Sequence, residues 1–546
     1  MTETRTRAGG REWTALVVLL LPLLLVSMDV SVLFFAVPYI TRQLQPSSTQ
    51  QLWIFDIYGF VLAGMLITMG SLGDRIGQRR LLLTGAVAFS AASFMAAYAS
   101  SAGMLIAARG ILGIAGATLT PTTAGLIRNM FNDEKQRQTA IAIWAGGLAT
   151  GVSFGPVISG LLLAHFWWGS VFLINIPFMV LLLVAAPLLV PEARPRKTGG
   201  MDFVSSVLSL LAILPIIYGA KEMATSGVNT LRVASLVVGL VFGVLFVLRQ
   251  RRPDPMIDLN LLRSRAVKGP ILTKFIANLT MSGTAILTAQ YLQLVHGLSP
   301  LAAGLWSLVP SIGVGVTTPV STILLKRGVD RSHLISGAFV LGVAAFGVMT
   351  QVQSDSQLWV VLLASTLLAG GMVVVMTLGT ELLIGAAPRE RAGTASAILA
   401  TGTQFGGAMG MAVLGTITTA VYRRHITGRL PASVDADKVH AARQTLGGAT
   451  VVAQSVPGRA GAAVLAAARD SFTAGIHVAA VTAAVLMALS ALLSALFLRR
   501  VRPQEAQQGG AAPKAREKSR GAAPAGAPAA MEEDRGPSQA PRPSHG

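Results

Sequence analysis

The sequence predicts an all-α polytopic membrane protein with fourteen transmembrane helices. Hydrophobic residues make up 52% of the 546 residues and charged residues only 12%, and the mean hydropathy is +0.62. An ordinary soluble domain has about twice that share of charged residues. The apolar residues also occur in runs of about 20, the length that a helix needs to cross a bilayer.

Fourteen apolar runs define the predicted helices. Each is near or above the length required to cross the hydrocarbon core, and polar loops separate them. The first run has no small-residue cleavage site, so we expect a retained helix and not a signal peptide. We place the spans at roughly 14–38, 53–72, 81–99, 103–127, 139–164, 170–190, 202–220, 231–248, 269–290, 301–324, 333–351, 358–386, 393–420 and 472–498.

Charge and cysteine content exclude several classes of protein. The formal charge is +20, yet the basic residues fall in short loops between apolar runs, a membrane-protein pattern and not a nucleic-acid-binding one. No cysteine is present, which excludes disulfides and thiol chemistry. The histidines lack the spacing of a metal site, and no G-x-x-x-x-G-K-[ST] phosphate loop occurs. We therefore expect no cofactor and no ATP-driven reaction in this chain.

The distribution of basic residues predicts the orientation. The even-numbered short loops are rich in Arg and Lys, as at 75–80, whereas the odd-numbered ones hold only Arg42, Lys221 and Arg232. Because cytoplasmic loops carry the excess of positive charge, both termini are expected in the cytoplasm. The Pro-, Ala- and Gly-rich basic tail at 499–546 cannot bury enough apolar surface to fold, so we expect disorder there.

The spans divide into two sets of six. The loops at 70–80 and 325–331 both mix Gly, Asp and basic residues, which indicates an internal repeat. An extra pair of helices separates the halves, and a long outer loop interrupts the second half. The predicted segments are a cytoplasmic N-terminus at 1–13, a first half at 14–190, two linker helices at 202–248, and a second half at 269–498 that contains the loop at 421–471.

Asp29 lies in the middle of the first apolar run, which extends from Ala15 to Tyr39. A carboxylate at that depth costs about 2.5–3.5 kcal/mol to insert, so a protein that keeps one there normally uses it. The run of roughly 25 residues is about 37 Å long as a helix, enough to span a bilayer with some tilt. Asp29 is therefore a candidate proton or cation site.

Arg109, in span four, is the second charge inside an apolar run. Span four runs inward from about Gly103, which puts Arg109 roughly 9 Å below its outer end. Asp29 lies roughly 13 Å below the outer end of span one, so the depths are compatible with a direct or a water-bridged ion pair. The alternative is that Arg109 snorkels to the outer interface.

The loop between spans two and three carries the most specific motif, Gly70-Ser-Leu-Gly-Asp-Arg-Ile-Gly-Gln-Arg-Arg80. Its glycines permit a tight turn and close helix approach, and its acid can pair with Arg or a helix N-terminus. This spacing resembles the signature loop of the major facilitator superfamily. The resemblance implies the major facilitator fold of two six-helix halves, here with two extra central helices. It also implies a gating role for Gly70, Asp74, Arg75, Gly77, Arg79 and Arg80.

Span five contains Gly151-Val-Ser-Phe-Gly-Pro-Val-Ile-Ser-Gly160, which resembles the antiporter motif G-x-x-x-G-P-x-x-x-G of the same superfamily. Small residues let helices pack closely, and proline bends a helix. Packing alone explains these residues without any direction of transport. The resemblance adds export as the implied direction, with Gly151, Gly155, Pro156 and Gly160 as the motif positions.

Arg109 matches the Arg-Gly element of the family's fourth span, which implies a proton-relay position, and two further acids are candidates. Asp56 lies about one turn into span two, either solvated at the interface or at the mouth of a cavity. Glu381 lies near the cytoplasmic end of span twelve. It either pairs with Arg389 or Arg391 at the surface or resembles the second-half acid of fourteen-span drug transporters.

The chain resembles the fourteen-span drug:proton antiporters, including quaternary-ammonium and dye exporters. The resemblance implies alternating access, in which inward proton movement drives a lipophilic, cationic compound outward across the cytoplasmic membrane. Asp29 would couple proton and substrate, and Arg109 would tune its protonation. The expected partners are small lipophilic cations, protons and the bilayer, with no nucleic acid, and the expected state is a monomer. The Ala, Gly and Arg bias suggests a bacterium with a GC-rich genome.

Two alternatives stay open at this stage. A dedicated exporter or an uptake permease for one natural product would share every feature of the fold. A membrane-embedded enzyme or sensor would need a catalytic constellation or a folded soluble domain, and the sequence has neither in recognisable form. We therefore expect a transporter and not an enzyme.

Overall fold

We describe the fold from a computed structural model, which describes residues 8–192, 202–252, 265–386, 392–431 and 434–497. The regular structure within these ranges is entirely helical. Fourteen helical segments are long and apolar enough to cross a membrane, which confirms the predicted number. Helices suit this setting because they satisfy their backbone hydrogen bonds internally, without water. The predicted tail at 499–546 lies outside the described residues.

The first six spans are formed by seven helices, because a break at Ile174 divides span six in two. Polar side chains begin several of the helices. Ser47 and Gln50 form a reciprocal capping box before α2, and Asp133 accepts a hydrogen bond from the Gln136 backbone at the start of α5. The helices are α1 (Gly10–Leu44), α2 (Ser48–Ile76), α3 (Gln78–Ala97), α4 (Ala102–Met130), α5 (Glu134–His165), α6 (Ser170–Leu173) and α7 (Asn175–Leu189).

The two extra helices form an antiparallel hairpin, α8 (Phe203–Ser226) and α9 (Thr230–Arg249). Helix α8 packs against α2 and also reaches α15 of the second half. Helix α9 is the more peripheral helix, since Gly239 is its one buried residue among those described. Its exposed valines and leucines form an apolar surface suited to contact with lipid tails.

The last six spans are built from helices α10 to α18 together with a π-helical turn at Tyr291–Val295 that continues α10. Span ten consists of two consecutive helices, α11 and α12, and the chain between the last two spans forms two short helices, α16 and α17. The bounds are α10 (Arg265–Gln290), α11 (Pro300–Trp306), α12 (Pro310–Lys326), α13 (Arg331–Met349), α14 (Leu358–Ala386), α15 (Ala392–Ile426), α16 (Ala436–Gln444), α17 (Leu446–Ser455) and α18 (Arg459–Phe497).

The packing of the spans repeats after eight spans. In the first half, span one packs on span five, span four packs on spans two and three, and span three packs on span six. In the second half, span nine packs on span thirteen, span twelve packs on spans ten and eleven, and span eleven packs on span fourteen. The contacts between the halves follow the same rule, because two packs on thirteen and ten on five. Two six-helix halves related by a pseudo-twofold axis therefore form the body of the protein.

The predicted loop at 421–471 is mostly helical. Helix α15 continues to Ile426, α16 and α17 follow, and α18 already begins at Arg459. The Tyr422 hydroxyl donates to the Ala442 carbonyl at 2.7 Å, which fastens α16 to the end of α15. Apolar stretches that the sequence placed in a loop are thus extensions of spanning helices and two helices packed against them.

The segment after α15 also joins the two halves at one end of the bundle. The Ser48 hydroxyl donates to the Gln444 carbonyl at 2.7 Å, and Gly447 lies directly against Thr41. We call this end of the bundle, defined by Ser48 and Gln444, the Ser48 end; the opposite end, where α2 turns into α3 at Asp74, is the Asp74 end. The halves are in contact at the Ser48 end.

Candidate functional site

Asp29 and Arg109 meet inside the first half. Asp29 is on α1 and Arg109 is on α4, and an Arg109 guanidinium nitrogen donates to the Asp29 carboxylate in a direct ion pair. Their side chains are only 2% and 1% exposed, respectively. Of the two arrangements compatible with their depths, the structure has the direct pair. Arg109 does not extend to the interface, so the snorkelling alternative is wrong.

Helix α2 supplies the remaining contacts of Arg109. The Arg109 Nε donates to the Ile54 carbonyl at 3.2 Å, and the guanidinium carbon lies 4.5 Å from the centroid of the Tyr58 ring. The Tyr58 hydroxyl in turn donates to the Val26 carbonyl of α1 at 3.1 Å. A cation over an aromatic face is stabilised further when both are removed from water. Tyr58 therefore fixes the guanidinium and ties α2 to α1 beside the pair.

Asn175 completes the surroundings of the carboxylate. It is 1% exposed, lies against Asp29 and donates its amide to the Ser93 hydroxyl at 3.1 Å. From sequence, Asn175 resembles only a polar residue at a helix end, and Tyr58 has no evident role. Their part in the site depends on how α2, α4 and α7 pack around α1, which the sequence pattern of each helix does not reveal.

The pair can exist in two chemical states. As an ion pair it is neutral overall, and its charges compensate each other in a region without water. Removing the charge of one partner leaves the other buried and uncompensated, which is strongly unfavourable. A proton or a competing cation at Asp29 would therefore release Arg109 and alter the packing of α1, α2 and α4. This arrangement provides a carboxylate that can exchange one cation for another.

The other two candidate acids lie in contrasting places. Asp56 is fully buried on α2, so the solvated interfacial position is wrong. Glu381 is 47% exposed and pairs with Arg331 at 3.5 Å, across α14 and α13. A surface pair of this kind stabilises little. The partners expected for Glu381, Arg389 and Arg391, lie outside the described residues.

The 70–80 loop forms hydrogen bonds that fasten the first half internally. Asp74 is exposed and accepts from the Gln78 amide at 3.0 Å; the Gln78 oxygen accepts from Asn129, at the end of α4, at 3.1 Å. Arg79 pairs with Glu192 at 3.0 Å and donates to two carbonyls at the end of α7, including Val190 at 3.1 Å. The loop thus joins the Asp74 ends of α2, α3, α4 and α7.

Four other residues of that loop take part through backbone geometry or position. Gly77 has a φ of 102°, a conformation that side chains disfavour, and it separates α2 from α3. Gly70 lies near Pro121 of α4, where a Cβ would be 3.5 Å from the proline ring. Arg75 and Arg80 are exposed at the Asp74 end. The gating role of the loop stays a prediction.

The glycines of the span-five motif serve two interfaces. A Cβ at Gly151 would lie 2.6 Å from the Leu24 carbonyl of α1, and Gly155 lies directly against Ser31 of the same helix. A Cβ at Gly160 would instead lie 2.6 Å from the Pro300 carbonyl, at the start of α11. Close backbone approach therefore occurs both within the first half and between the halves.

Pro156 lies in the same contact between the halves. Its carbonyl oxygen would be 2.5 Å from a Cβ at Gly304 of α11, the counterpart of the Gly160 contact. Ser159 donates to the Val32 carbonyl at 2.9 Å and adds a hydrogen bond between α5 and α1. The motif thus packs α1, α5 and α11 together, and its link to the direction of transport stays a prediction.

A cavity of about 500 Å³ lies at the Ser48 end, between the two halves. Tyr39 and Arg42 line it from α1, and Gln293 and Arg469 line it from the second half. Its size suits a small organic molecule. Its described lining contains basic and amide side chains without a carboxylate, so it is distinct from the Asp29 site.

Lys274 is a charged residue that the sequence reasoning missed. It lies on α10, within the spanning segment Lys268–Val295, and donates from Nζ to the Thr380 hydroxyl of α14 at 2.7 Å. The signal was present, since a lysine among apolar residues is as unusual as Asp29. It was overlooked because it is close to the basic loop that precedes the span.

The comparisons with known proteins agree with this architecture. The sequence profile of the Major Facilitator Superfamily matches residues 19–411. The multidrug efflux pump LfrA of Mycolicibacterium smegmatis is 39% identical over 500 residues, which cover 91% of this chain and 99% of LfrA. The methyl viologen resistance protein SmvA of Salmonella typhimurium is 35% identical over 485 residues, which cover 88% of this chain and 97% of SmvA.

Solved structures show the same fold. A bacterial homologue of the human lysosomal transporter Spinster, in an inward-facing and unoccupied conformation, superposes with a TM-score of 0.61 at 17% identity, covering 90% of this chain and 98% of that one. The fold, the matching profile and two relatives aligned over nearly their whole length lead to one assignment. The chain is a multi-pass membrane protein that belongs to the Major Facilitator Superfamily.

Proposed function

We propose that this protein is a proton-coupled antiporter that exports lipophilic, cationic drugs, antiseptics or dyes by alternating access. The observation that carries the proposal is the Asp29–Arg109 ion pair, buried inside the spanning bundle. Charged groups in such a position are rare and mark ion or proton pathways. The names of the relatives, a multidrug efflux pump and a methyl viologen resistance protein, support drugs as the substrate class.

The exchange proceeds at Asp29. In the ion-paired state the carboxylate is occupied by Arg109 and is unavailable to a second cation. A proton that reaches Asp29 removes its charge and releases the guanidinium, which changes the contacts of Arg109 with Tyr58 and the Ile54 carbonyl. A cationic substrate competes for the same charge. Proton and substrate therefore bind the carboxylate in turn, and Arg109 pairs with it when neither is bound.

The orientation follows from the basic loops. With both termini in the cytoplasm of a bacterial cell, the Asp74 end faces inward and the Ser48 end faces outward. The contacts between Ser48 and Gln444 then belong to the closed outer side of the carrier. The protein uses the proton gradient without a cofactor, catalyses no chemical reaction and acts as a monomer in the cytoplasmic membrane.

Everted membrane vesicles test the function. Respiration acidifies their interior, and an acridine dye reports the pH gradient by quenching. We expect ethidium, a lipophilic monocation, to dissipate the gradient in vesicles that contain the protein and to accumulate in them until a protonophore is added. Vesicles with D29N, which keeps the shape of the carboxylate and removes its charge, should show neither response. Unchanged proton-coupled transport by D29N would contradict the proposal.

The natural-product alternative predicts a different outcome in the same vesicles. A dedicated exporter would respond to one compound class and leave several structurally unrelated cations without effect. An uptake permease would move its substrate in the opposite direction. A panel of ethidium, benzalkonium and an uncharged antibiotic, each assayed for accumulation and for proton release, distinguishes a broad cation exporter from both.

A further inference from the structure

Lys274 is positioned inside the membrane-spanning part of the second half. It lies six residues after Lys268, the first residue of the span, or roughly 9 Å along the helix. Its stem packs over Gly379, where a Cβ would be 2.9 Å from the lysine Cγ. Its Nζ donates to the Thr380 hydroxyl at 2.7 Å, so the chain is directed towards α14. The absence of a side chain at Gly379 leaves room for the lysine stem.

The charged groups on the helices around α10 are directed elsewhere. On α1, Asp29 is paired with Arg109; on α14, Glu381 is paired with Arg331. The charged and titratable residues of α15 and α18 lie towards the Ser48 end, where they include Arg423, Arg424, His425, Arg469, Asp470 and His477. In the described part of the chain, Lys274 has the Thr380 hydroxyl as its hydrogen-bond partner and makes no ion pair.

Polar side chains continue from Lys274 along the same face of α10. Asn278, one turn further, donates its amide to the Thr403 carbonyl of α15 at 2.6 Å. Ser282, another turn on, lies over Gly407, where a Cβ would be 3.0 Å from its hydroxyl. Residues four apart share a helix face, so this strip extends roughly 12 Å into the bundle. Polar groups of this kind are able to retain bound water.

Lysine is the basic residue suited to a reversible charge in such a place. An ammonium group has three donors, and Thr380 accepts one of them. A lysine amine can give up its proton in an apolar site, whereas an arginine guanidinium does not. A cation in the carrier also repels a second cation, so a charged Lys274 and a bound cationic substrate oppose each other.

We propose that Lys274 is the proton-carrying residue of the second half, protonated when the carrier holds no cationic substrate and neutral when it does. The inference rests on the proposed function and extends it to a second site. Its amine accepts a proton at Nζ in one part of the cycle and returns it to water along the Asn278–Ser282 strip in another. The first half contributes an acid and the second half a base, and both respond to the same substrate charge.

A structural role for Lys274 makes a different prediction. If the side chain only fastens α10 to α14, any residue that keeps the hydrogen bond should suffice. K274R keeps a donor and a permanent charge, and K274Q keeps a donor without a charge. Neither can change its protonation, so the two variants separate a hydrogen bond from a reversible charge.

The experiment compares K274R, K274Q and the unchanged protein in everted vesicles and in detergent. We expect both variants to lose about tenfold or more of proton-driven ethidium efflux. Ethidium binding should persist in K274Q with a weaker dependence on pH, which Asp29 alone then determines, while in K274R it should weaken about tenfold. Retained binding by K274Q also shows that the variant is folded. K135R and K135Q, at an exposed lysine in the first turn of α5, are matched controls and should behave as the unchanged protein does.

Two results would overturn the assignment in distinguishable ways. If the unchanged protein exports ethidium with the proton gradient and both K274 variants do so with the same pH profile, Lys274 is a structural residue and the proposed function stands. If the unchanged protein shows no proton-driven efflux of any cation in the panel, the proposed function fails and the role of Lys274 fails with it.

Discussion

The Asp29 carboxylate and the Arg109 guanidinium form an ion pair in which both side chains are almost completely buried. Each charge is compensated by the other, and Tyr58, Asn175 and the Ile54 carbonyl occupy the remaining space around them. A buried pair is a weak source of net stability, because desolvation opposes the attraction between the charges. Its importance here is that removing either charge alone leaves the other charge buried without a counter-ion.

The first prediction is a non-additive double-mutant cycle at this pair. R109Q leaves the Asp29 carboxylate buried without its cation and should lower the stability of the first half by about 3–5 kcal/mol. D29N/R109Q removes both charges and should be more stable than R109Q, although it should not transport. Thermal denaturation in detergent measures the stabilities, with R331Q at the exposed pair with Glu381 as the control. Additive losses would show that the two charges are not energetically coupled.

The fold could be predicted from sequence to a large extent, and the site only in part. Fourteen apolar runs and an internal repeat determine the number of spans, because lipid permits few alternatives to a helix. The helices within the loop at 421–471 could not be placed from sequence, since a short run such as AAVLAAA continues a helix only when neighbouring helices cover it. The depths of Asp29 and Arg109 in the membrane follow from their positions along spans one and four. An ion pair between them could therefore be predicted from the sequence.

Contacts that depend on rotation about a helix axis could not be anticipated. Tyr58 lies over Arg109 because α2 presents that face to α4, and Asn175, the first residue of α7, lies against Asp29 because α7 packs on α1. Glu381 pairs with Arg331, which is distant in sequence but begins the neighbouring helix. The partners expected from sequence proximity, Arg389 and Arg391, lie outside the described residues.

The second prediction concerns the glycines of α5. G151A and G160A should each destabilise the protein by about 1–3 kcal/mol, because the added methyl meets backbone atoms of α1 or α11 that cannot move independently. G146A, on the same helix, has nothing within 4 Å of its new Cβ and should be neutral or slightly stabilising. Thermal unfolding in detergent measures all three. Equal effects at the three positions would exclude close packing as the reason for the motif.

The third prediction uses the absence of cysteine in the chain. Ser48 and Gln444 belong to different halves and are in direct contact, so S48C/Q444C should be joined by a short bifunctional thiol reagent. If the halves separate there during transport, cross-linking should abolish ethidium efflux, and reductive cleavage of a disulfide-containing reagent should restore it.

A matched pair within one half provides the control for that experiment. The Ser354 hydroxyl donates to Asp470 at 2.6 Å, and both residues belong to the second half. S354C/D470C cross-linked with the same reagent should retain efflux, since the two residues move together. Full transport by cross-linked S48C/Q444C would show that this contact does not open.

The fourth prediction concerns the hairpin of the two extra helices and its dependence on pH. Asp202 precedes α8, caps it through the Ser205 backbone at 3.0 Å, and accepts from Arg249 at the end of α9 at 2.8 and 2.9 Å. Burial raises the pKa of this carboxyl, but the hydrogen bonds from Arg249 and Ser205, with the charge of Arg249, outweigh it and lower the pKa below its usual value. The ionised form is therefore the one that stabilises the folded state.

The sign of the effect follows from linkage. Because the folded-state pKa is depressed, the contribution of Asp202 is fully present above the unfolded pKa of about 4 and is lost as the pH falls through the lower folded value. D202N should therefore lower the stability of the hairpin by about 1 kcal/mol at pH 7 and by progressively less below about pH 4. Thermal denaturation of both proteins across this range measures the difference, with D437N at an exposed acid of α16 as the control. A difference between D202N and the unchanged protein that stays constant down to pH 3 would show that the charge of Asp202 does not stabilise the hairpin.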